Sequence, residues 1–277
     1  MTYKDASLKV VSSKQLDTES ESVSNIVMVA SGKGGVGKTW FSITFAQALA
    51  QAGRKVLLFD GDLGLANVDI QLGLTPEKDL GTVLSGQAKL EDVVTPYKVG
   101  KFDIIAGRSG CGSLASLPRD KLLLLQAGLK RISEQYDIVL MDLGAGVGQN
   151  VRSLSHLAGS CYVLVTDEPT SLTDAYAFLK VTHTAHKEVP LRIVVNQVEN
   201  LQTGKRVYET LKKVSENFLH YKPDLGGIIR RDGHVKDAIR SQTPLLIRSE
   251  DCLAAKDIFT IVRTYQRFQN EQQSLKK

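Results

Sequence analysis

A glycine-rich segment, Gly32–Thr39 (GKGGVGKT), carries two lysines and a threonine between two apolar stretches. The apolar run Ile26–Ala30 precedes it, and an apolar helical pattern begins at Trp40. Glycines expose backbone N–H groups to phosphate oxygens, and the positive end of a following helix adds to the attraction. The spacing therefore predicts a Walker A phosphate loop, in which Lys38 reaches the β- and γ-phosphates of a nucleotide and the Thr39 hydroxyl coordinates Mg²⁺.

Acidic residues stand at the ends of two further predicted strands. Asp60 closes the strand Val56–Asp60, Asp62 follows it, and Asp142 closes the strand Ile138–Asp142. Parallel sheets build their sites at the carboxyl ends of strands, so we expect these carboxylates to meet the phosphate loop. Each Asp alone could cap a helix or a turn. Their placement together with the loop favours a magnesium site, in which Asp142 holds the ion through water.

From Asn25 onward, short β-branched runs alternate with longer helical stretches, a pattern typical of βαβ units. The predicted strands are Ile26–Ala30, Val56–Asp60, Phe102–Ala106, Ile138–Asp142, Tyr162–Thr166, Leu191–Asn196 and Gly227–Ile229. The predicted helices are Trp40–Gln51, Pro118–Glu134, Ser171–His186, Thr203–Phe218, Val235–Ser241 and Cys252–Phe268. Several strands are apolar throughout, as expected when helices cover both faces. We predict an α/β fold with a doubly wound, mostly parallel sheet: a single domain over residues 25–268, between polar tails at 1–24 and 269–277.

Composition excludes several classes of protein. With 277 residues, 42% of them hydrophobic, the chain can form a substantial core, and its net charge of +5 includes no Lys/Arg block that would indicate nucleic-acid binding. The odd, scattered set Cys111, Cys161 and Cys252 argues against a disulfide framework. His183 and His186 share a predicted helix face without a third ligand, so we expect a solvated surface pair. No apolar run approaches the ~20 residues that cross a bilayer, and we expect a cytoplasmic protein.

Lys33 adds to the ordinary Walker A pattern. The form K-G-G-x-G-K-T resembles the deviant Walker A motif of the MinD/ParA class of SIMIBI P-loop ATPases, in which the lysine at this position crosses a dimer interface to the partner's phosphates. The resemblance implies a MinD-like fold, ATP and Mg²⁺ as cofactors and an ATP-dependent homodimer. It also implies catalytic roles for Lys33, Lys38 and Asp62. Nucleotide contacts are implied along the whole loop and at the next residue: Gly32, Lys33, Gly34, Gly35, Val36, Gly37, Lys38, Thr39 and Trp40.

The segment Asp60–Asn67 (DGDLGLAN) resembles the switch I segment of the same class. The resemblance implies that Asp62 positions and polarises the attacking water, and that Asp60 supports the magnesium shell. The implied metal site therefore combines Thr39, Asp60 and Asp142. The glycine-rich stretch after Asp142 matches the switch II position, where a loop that senses the γ-phosphate changes conformation.

Four residues are implied to contact the rest of the nucleotide. Asn67 stands where the class contacts the nucleotide site across the dimer, and Asn196 matches its base-recognition asparagine. Arg230 and Asp232 belong to the other adenine-side loop. The sequence departs from the usual pattern of the class at three positions: Trp40, Leu143 and Arg230.

Two stretches, Asp60–Gly73 and Asp167–Lys180 (DEPTSLTDAYAFLK), resemble the FlhG/FleN group, the MinD-like ATPases that control flagellar number and placement. In the second stretch Thr170 or Ser171 could simply cap a helix. The resemblance implies a slowly hydrolysing ATP switch that regulates flagella. Its implied partners are itself and a flagellar GTPase, a transcription regulator or a basal-body component, and it is implied to be cytoplasmic, with recruitment to the cell pole or the inner membrane face.

Two alternative functions stay open. A ParA-like positioning ATPase for DNA or another large cargo would use basic residues such as Arg230, Arg231, Lys236 and Arg240, although a solvated face explains these more simply. A metabolic or metal-cluster ATPase on the same fold would need cysteines that meet at a dimer axis, and Cys111 has no second cysteine at the switch II position.

Apolar residues recur at helical spacing near the C-terminus: Ile258, Ile261, Val262, Tyr265 and Phe268. They predict the core-facing side of the last helix. The polar residues beyond them are too few for a separate membrane anchor, so we expect weak or indirect membrane binding.

Overall fold

The computed structural model describes residues 24–107 and 117–274. The predicted N-terminal tail lies outside these ranges except for Ser24, and so does Cys111. In the described residues, eight strands form one sheet in the order β3-β4-β2-β5-β1-β6-β7-β8. They are β1 (Ile26–Ala30), β2 (Val56–Gly61), β3 (Thr95–Tyr97), β4 (Phe102–Ile105), β5 (Ile138–Leu143), β6 (Ser160–Val165), β7 (Leu191–Val198) and β8 (Asp224–Arg230). All neighbours pair in parallel except β3 and β4.

Helices connect these strands and cover the sheet. They are α1 (Lys38–Gln51), α2 (Val68–Leu72), α3 (Leu80–Leu84), α4 (Arg119–Ser133), α5 (Gln149–Ser155), α6 (Pro169–Ala185), α7 (Leu201–Leu219), α8 (Gly233–Arg240), α9 (Leu245–Arg248) and α10 (Leu253–Ser274), with a 3-10 turn at Leu90–Val93. The seven predicted strands and six predicted helices are present; β1 has the predicted ends, and each of the others differs at one or both ends. The unpredicted elements β3, α2, α3, α5 and α9 have three to seven residues, too few for a periodic pattern to develop.

The core consists of two apolar layers, one on each face of the sheet. Along β1, Val27 and Val29 pack on one side with residues of α1 and α10, whereas Ile26 and Met28 pack on the other with residues of α4, α6 and α7. This alternation follows from the period of two along a strand. Burial on both faces explains why the central strands are apolar throughout, and it confirms the predicted doubly wound arrangement.

The end of the last helix differs from the prediction. Ile258, Ile261, Val262 and Tyr265 are buried as expected, but α10 continues past Phe268 to Ser274. Residues 269–274 are polar and contain neither Gly nor Pro, so a solvated helix can continue where a polar tail was predicted. Within the described residues, no helix has the length and apolar character needed to cross a membrane.

The prediction of a solvated pair at His183 and His186 was wrong. His186 is only 5% exposed, and its ring stacks edge-on against His156 at a centroid distance of 4.0 Å. His183 is half-buried and stacks on Tyr221 at 4.1 Å. The reason is tertiary: the end of α6 packs against the end of α5 and the segment after α7, which the spacing of two histidines does not reveal.

The topology positions the candidate site. β1 lies between β5 and β6. The sheet extends from β1 through β5 and β2 on one side, and through β6, β7 and β8 on the other. Asp142 on β5 stands opposite Val29 on β1 and Asp60 on β2. The carboxyl ends of the three central strands therefore bring the glycine-rich loop and both carboxylates together, at the kind of position where open α/β sheets bind ligands.

Candidate functional site

The glycine-rich loop turns from the end of β1 into the start of α1. Gly35 and Gly37 have φ angles of 77° and 91°, which favour glycine. A Cβ added to Gly37 would lie 2.6 Å from Nδ2 of Asn196, and one added to Gly32 would lie 2.1 Å from the backbone oxygen of Asp174. By contrast, a Cβ at Gly34 or Gly35 would meet no atom within 4 Å. The loop is thus packed tightly against the rest of the protein at Gly32 and Gly37, and it has open space beside Gly34 and Gly35.

A cavity of about 600 Å³ lies against this loop. It brings together half of the predicted site residues, which come from the loop, the start of α1 and the segment after β2: Gly34, Gly35, Gly37, Lys38, Thr39, Trp40, Asp62 and Asn67. It also contains residues that the sequence did not indicate: Gln71, Gln149, Asn150, Val151 and Ile239. Of these, Gln149 and Asn150 follow the glycine-rich stretch after β5, so the switch II resemblance could have suggested them.

Lys38 is a buried cation beside this cavity. Lys38 is 9% exposed. In the described part of the chain, its side chain forms no ion pair within 4 Å. Burial lowers the pKa of Lys38, while the charges of Asp142 and Asp62 oppose that shift. A buried ammonium group without a close anion is costly, so the site favours an anionic ligand.

Asp142 is buried at the carboxyl end of β5. Its Oδ1 accepts a hydrogen bond of 3.1 Å from the Ser42 hydroxyl. Burial raises its pKa to about 6, against the opposing effects of hydrogen bonding by Thr39, the charge of Lys38 and the bond from Ser42. Ser42 was not predicted, although it lies one helical turn after Thr39 on α1, a spacing that places both hydroxyls on one face.

Asp60 organises the loop that follows β2. Its Oδ1 accepts from the backbone N–H of Asp62 at 3.2 Å, and its Oδ2 accepts from those of Asn67 and Val68 at 3.0 Å each. Burial, followed by the nearby charge of Asp142, raises the pKa of Asp60 to about 8. Both oxygens of this carboxylate therefore hold the loop in shape, a local function that the switch I resemblance did not indicate.

Asp62 lies where the loops after β2 and β5 approach each other. Its Oδ1 accepts from Leu65 N–H at 3.1 Å, and a Cβ added to Gly144 would lie 3.2 Å from the same oxygen. The side chain of Asn67 donates to the Leu65 carbonyl at 2.5 Å. The two predicted switch segments are therefore in contact, and Asp62 reaches the cavity from between them.

Lys33 is not among the residues that line the cavity. Its Nζ donates to Oε2 of Glu168 at 2.6 Å and to the Thr170 hydroxyl at 2.9 Å, at the start of α6. Glu168 itself is the residue that precedes α6, so neither Thr170 nor Ser171 caps that helix; the Ser171 hydroxyl instead accepts from Thr166 N–H at 3.0 Å. The acidic partner of Lys33 was missed because nothing in the sequence relates positions so far apart.

The residues predicted to contact adenine are bound to other parts of the protein. Nδ2 of Asn196 donates to the Val36 carbonyl at 2.8 Å and so supports the phosphate loop. Arg230 forms a bidentate pair with Asp257, at 3.0 Å and 2.7 Å. Asp232 accepts from His234 N–H and Ala254 N–H, at the starts of α8 and α10. None of Asn196, Arg230 and Asp232 lines the cavity, and the adenine pocket stays a prediction.

Comparison with known proteins supports a common family for this sequence, fold and site. The family described as the CobQ/CobB/MinD/ParA nucleotide binding domain matches residues 27–245. Antiactivator FleN of Pseudomonas aeruginosa is 38% identical over 237 residues, and the match covers 84% of each chain. Flagellum site-determining protein YlxH of Helicobacter pylori is 30% identical over 239 residues, covering 84% of this chain and 77% of YlxH.

Solved structures agree on the fold. The septum site-determining protein MinD complexed with Mg-ADP from Pyrococcus horikoshii matches with a TM-score of 0.75 at 23% identity, over 88% of this chain and 96% of that chain. MinD of Aquifex aeolicus matches with a TM-score of 0.70 at 25% identity, over 87% and 96%. The predicted resemblance to the MinD/ParA class and to FleN is confirmed: this chain belongs to the CobQ/CobB/MinD/ParA family of nucleotide-binding domains.

Proposed function

We propose that this chain is a Mg²⁺-dependent ATPase that dimerises with ATP and acts as a switch in regulating the number or placement of flagella. The observation that carries the ATPase proposal is the convergence of Lys38, Thr39 and Asp62 on one cavity of about 600 Å³. The buried carboxylates of Asp60 and Asp142 lie side by side on the adjacent strand ends.

These residues fit a nucleotide with Mg²⁺. The loop leaves open space beside Gly34 and Gly35, and the buried Lys38 has no anionic partner within 4 Å among the described residues. Phosphate oxygens suit both features. Thr39 and Asp142 offer the hydroxyl and carboxylate oxygens that Mg²⁺ prefers. Magnesium, when bound, would neutralise charge on the phosphates and so ease attack by water.

Three of these side chains would have separate functions in ATP hydrolysis. Lys38 would hold the β- and γ-phosphate oxygens and stabilise the negative charge that moves onto them. Asp62 would orient and polarise the attacking water at the end of the cavity. Asp60, through its three backbone hydrogen bonds, would keep the Asp62 loop in the required conformation.

Lys33 supports the dimer part of the proposal. Its Nζ binds Glu168 and Thr170 and it is not among the residues that line the cavity, so it contributes nothing to its own chain's site in this conformation. A partly exposed lysine on the phosphate loop would instead serve the phosphates of a second copy. Contacts to the γ-phosphate form with ATP and not with ADP. They therefore supply the difference in affinity between the two nucleotide states that a switch requires.

The flagellar part rests on similarity to FleN and to the flagellum site-determining protein YlxH. A flagellar GTPase, a transcription regulator or a basal-body component would then bind one nucleotide state, in the cytoplasm or at the cell pole. The ParA-like alternative has less support, since Arg230, one of its candidate DNA contacts, is already bound by Asp257.

Light scattering with ADP and with ATP tests the switch, using Asp62→Ala to slow hydrolysis. We expect a monomer with ADP, a dimer with ATP, and no dimer in the variant that also carries Lys33→Ala; Lys78→Ala, at an exposed lysine outside the site, is the matched control. An oligomeric state that ignores the nucleotide would refute the switch. Deleting the gene in its own host and counting flagella by electron microscopy tests the biological role, which an unchanged number and position would contradict.

A further inference from the structure

Three different metal-binding groups meet where α8 and α10 begin: the carboxylate of Asp232, the imidazole of His234 and the thiol of Cys252. One ligand atom from each lies within 4.8 Å of the other two. Nδ1 of His234 is 2.8 Å from Oδ1 of Asp232, and the Cys252 thiol hydrogen-bonds to the same carboxylate. Cys252 comes from a different segment than the other two residues, so the fold brings this set together.

Helix capping explains only part of this cluster. The Asp232 carboxylate accepts from His234 N–H at 3.0 Å and from Ala254 N–H at 3.1 Å, in the first turns of α8 and α10. Sγ of Cys252 accepts from Ala255 N–H at 3.5 Å, a contact that a serine would make more strongly. Neither cap needs an imidazole or a thiol. The His234 ring nevertheless lies against the carboxylate, although its side chain is 59% exposed.

A nucleophilic cysteine does not explain the cluster either. An activated thiol needs a base such as an imidazole within hydrogen-bond reach, and a third group that orients this base. Asp232 does hold the ring of His234, but the hydrogen bond of the Cys252 thiol goes to the carboxylate. A cation would satisfy all three groups, because a carboxylate, a neutral imidazole and a thiolate each offer it a lone pair.

The three donor types select the metal. Mg²⁺ and Ca²⁺ prefer oxygen donors, whereas thiolate and imidazole suit zinc. Zn²⁺ lies about 2.0 to 2.3 Å from such donors, so its ligands stand roughly 3 to 4 Å apart. The exposed His234 can turn to reach this geometry, and each Asp232 oxygen keeps a lone pair besides its bond to a backbone N–H. The thiol proton would pass to solvent as the metal binds, because the thiolate is the ligand.

We infer that Asp232, His234 and Cys252 bind one zinc ion, with water at the fourth position. The ion would link the start of α8 to the start of α10 and so fix the last helix to its neighbour. None of the three residues lines the cavity beside the phosphate loop. Zinc binding here therefore does not depend on the proposed ATPase activity.

Cobalt replaces zinc in such sites, and a thiolate ligand gives it a charge-transfer band in the near ultraviolet. The untagged full chain, kept reduced by a phosphine and free of nucleotide, is titrated with Co²⁺ in excess Mg²⁺ and then with Zn²⁺. The test variants are Cys252→Ser, which keeps a helix cap, and His234→Gln, at an exposed side chain. Cys111→Ser and His220→Asn are the matched controls, since they remove a thiol and an imidazole elsewhere in the sequence. Thermal unfolding without metal checks that every variant is folded.

We expect one Zn²⁺ per chain, which displaces the cobalt and raises the thermal midpoint of the unmodified chain. Cys252→Ser should abolish the thiolate–cobalt band. Both test variants should bind Zn²⁺ at least roughly 100-fold more weakly, since even a lost outer-shell partner costs about 10- to 100-fold. The controls should bind it normally.

An unmodified chain without the cobalt band, or a band that persists in Cys252→Ser, would overturn the inference. Unchanged Zn²⁺ affinity in the folded His234→Gln variant would also overturn it. Each of these results would leave the proposed ATPase function intact, since calorimetry with Mg-ADP tests nucleotide binding separately.

Discussion

Nζ of Lys33 lies 2.6 Å from Oε2 of Glu168. The resemblance implies that Lys33 binds the phosphates of a partner chain. In this structure it is instead paired within its own chain, with a residue at the start of α6. Thr170, which follows two residues later, adds a second acceptor at 2.9 Å. Both acceptors belong to the stretch that resembles the FlhG/FleN group. Any step that moves Lys33 across an interface must first break these two contacts.

Glu168→Gln is therefore expected to favour the ATP-bound dimer. The substitution keeps the shape of the side chain but removes the charge that holds Lys33, so less free energy is lost when the lysine moves. Because the pair is exposed, the thermal midpoint should hardly change. The measurement is the dimer dissociation constant with ATP, from light scattering in an Asp62→Ala background, and we expect it to fall a few-fold.

Glu188→Gln is the matched control for that change, since Glu188 is exposed and distant in sequence from the phosphate loop. It should leave dimerisation unaltered. A weaker dimer in Glu168→Gln would mean that Glu168 acts in the dimer interface itself, which contradicts the prediction that it restrains Lys33 in the monomer.

Asp62→Ala is expected to slow ATP hydrolysis by roughly 100-fold or more, the contribution of a positioned acid–base group, with little loss of ATP affinity. The physical reason is that the Asp62 side chain lines the cavity and, within the protein, accepts a backbone hydrogen bond from Leu65 N–H. Its removal takes away the group that orients water and leaves the phosphate loop intact. Phosphate release and ATP binding are measured side by side.

The exposed Glu77 provides a comparison outside the cavity, and Glu77→Ala should hydrolyse ATP at the normal rate. Full activity in Asp62→Ala would assign the attacking water to another group. Equal losses of binding and hydrolysis would instead show that the loop had collapsed.

The sequence predicted the parts of the site that are local in the chain. The run Gly32–Thr39, the strand ends at Asp60 and Asp142, and the doubly wound sheet all follow from short patterns of glycine, carboxylate and apolar residues. What it could not predict depends on tertiary contacts. Lys33 and Glu168, which pair, are distant in sequence. The burial of His186 depends on how the ends of helices pack.

Asp60 shows the same limit within one loop. The pattern placed a carboxylate at the strand end correctly, but it did not reveal that both oxygens bind backbone N–H groups of the following segment. The resemblance implied that Arg230 and Asp232 contact adenine. In the structure, Arg230 binds Asp257 on α10 and Asp232 binds His234 on α8. No sequence motif at these positions indicates either contact.

Gly37→Ala is expected to destabilise the protein more than Gly53→Ala. Both glycines have a positive φ, 91° and 82°, so each substitution carries a backbone cost of about 1–2 kcal/mol. A Cβ at Gly53 meets no atom within 4 Å, but a Cβ at Gly37 would lie 2.6 Å from Nδ2 of Asn196. Urea unfolding measures the difference, and calorimetry should show lost nucleotide binding for Gly37→Ala alone.

Asn196→Ala in the Gly37→Ala background checks the cause. If the clash with the Asn196 amide is responsible, Gly37→Ala should cost less stability in the Asn196→Ala background than in the unmodified chain. Equal destabilisation by Gly37→Ala and Gly53→Ala would contradict the steric explanation and leave only the backbone cost.

Protonation of the buried histidines is expected to destabilise the protein in mild acid. Burial lowers the pKa of His186, and the charge of His156 adds to this effect, while Glu188 opposes it; burial also lowers the pKa of His183. A histidine whose pKa is lowered on folding binds protons more readily when unfolded. Its stabilising contribution is therefore present above the unfolded pKa of about 6.5 and is lost as the pH falls through the lower folded value.

Urea unfolding between pH 7.5 and 5 measures this loss, and His186→Gln should reduce it, because the variant has no group to protonate at that position. His220→Asn is the control, since His220 is exposed with a φ of 51°, which Asn tolerates. We expect its pH profile to match that of the unmodified chain. An equally steep loss in His186→Gln would place the acid sensitivity elsewhere, and His183→Gln would then be the variant that separates the two stacked rings.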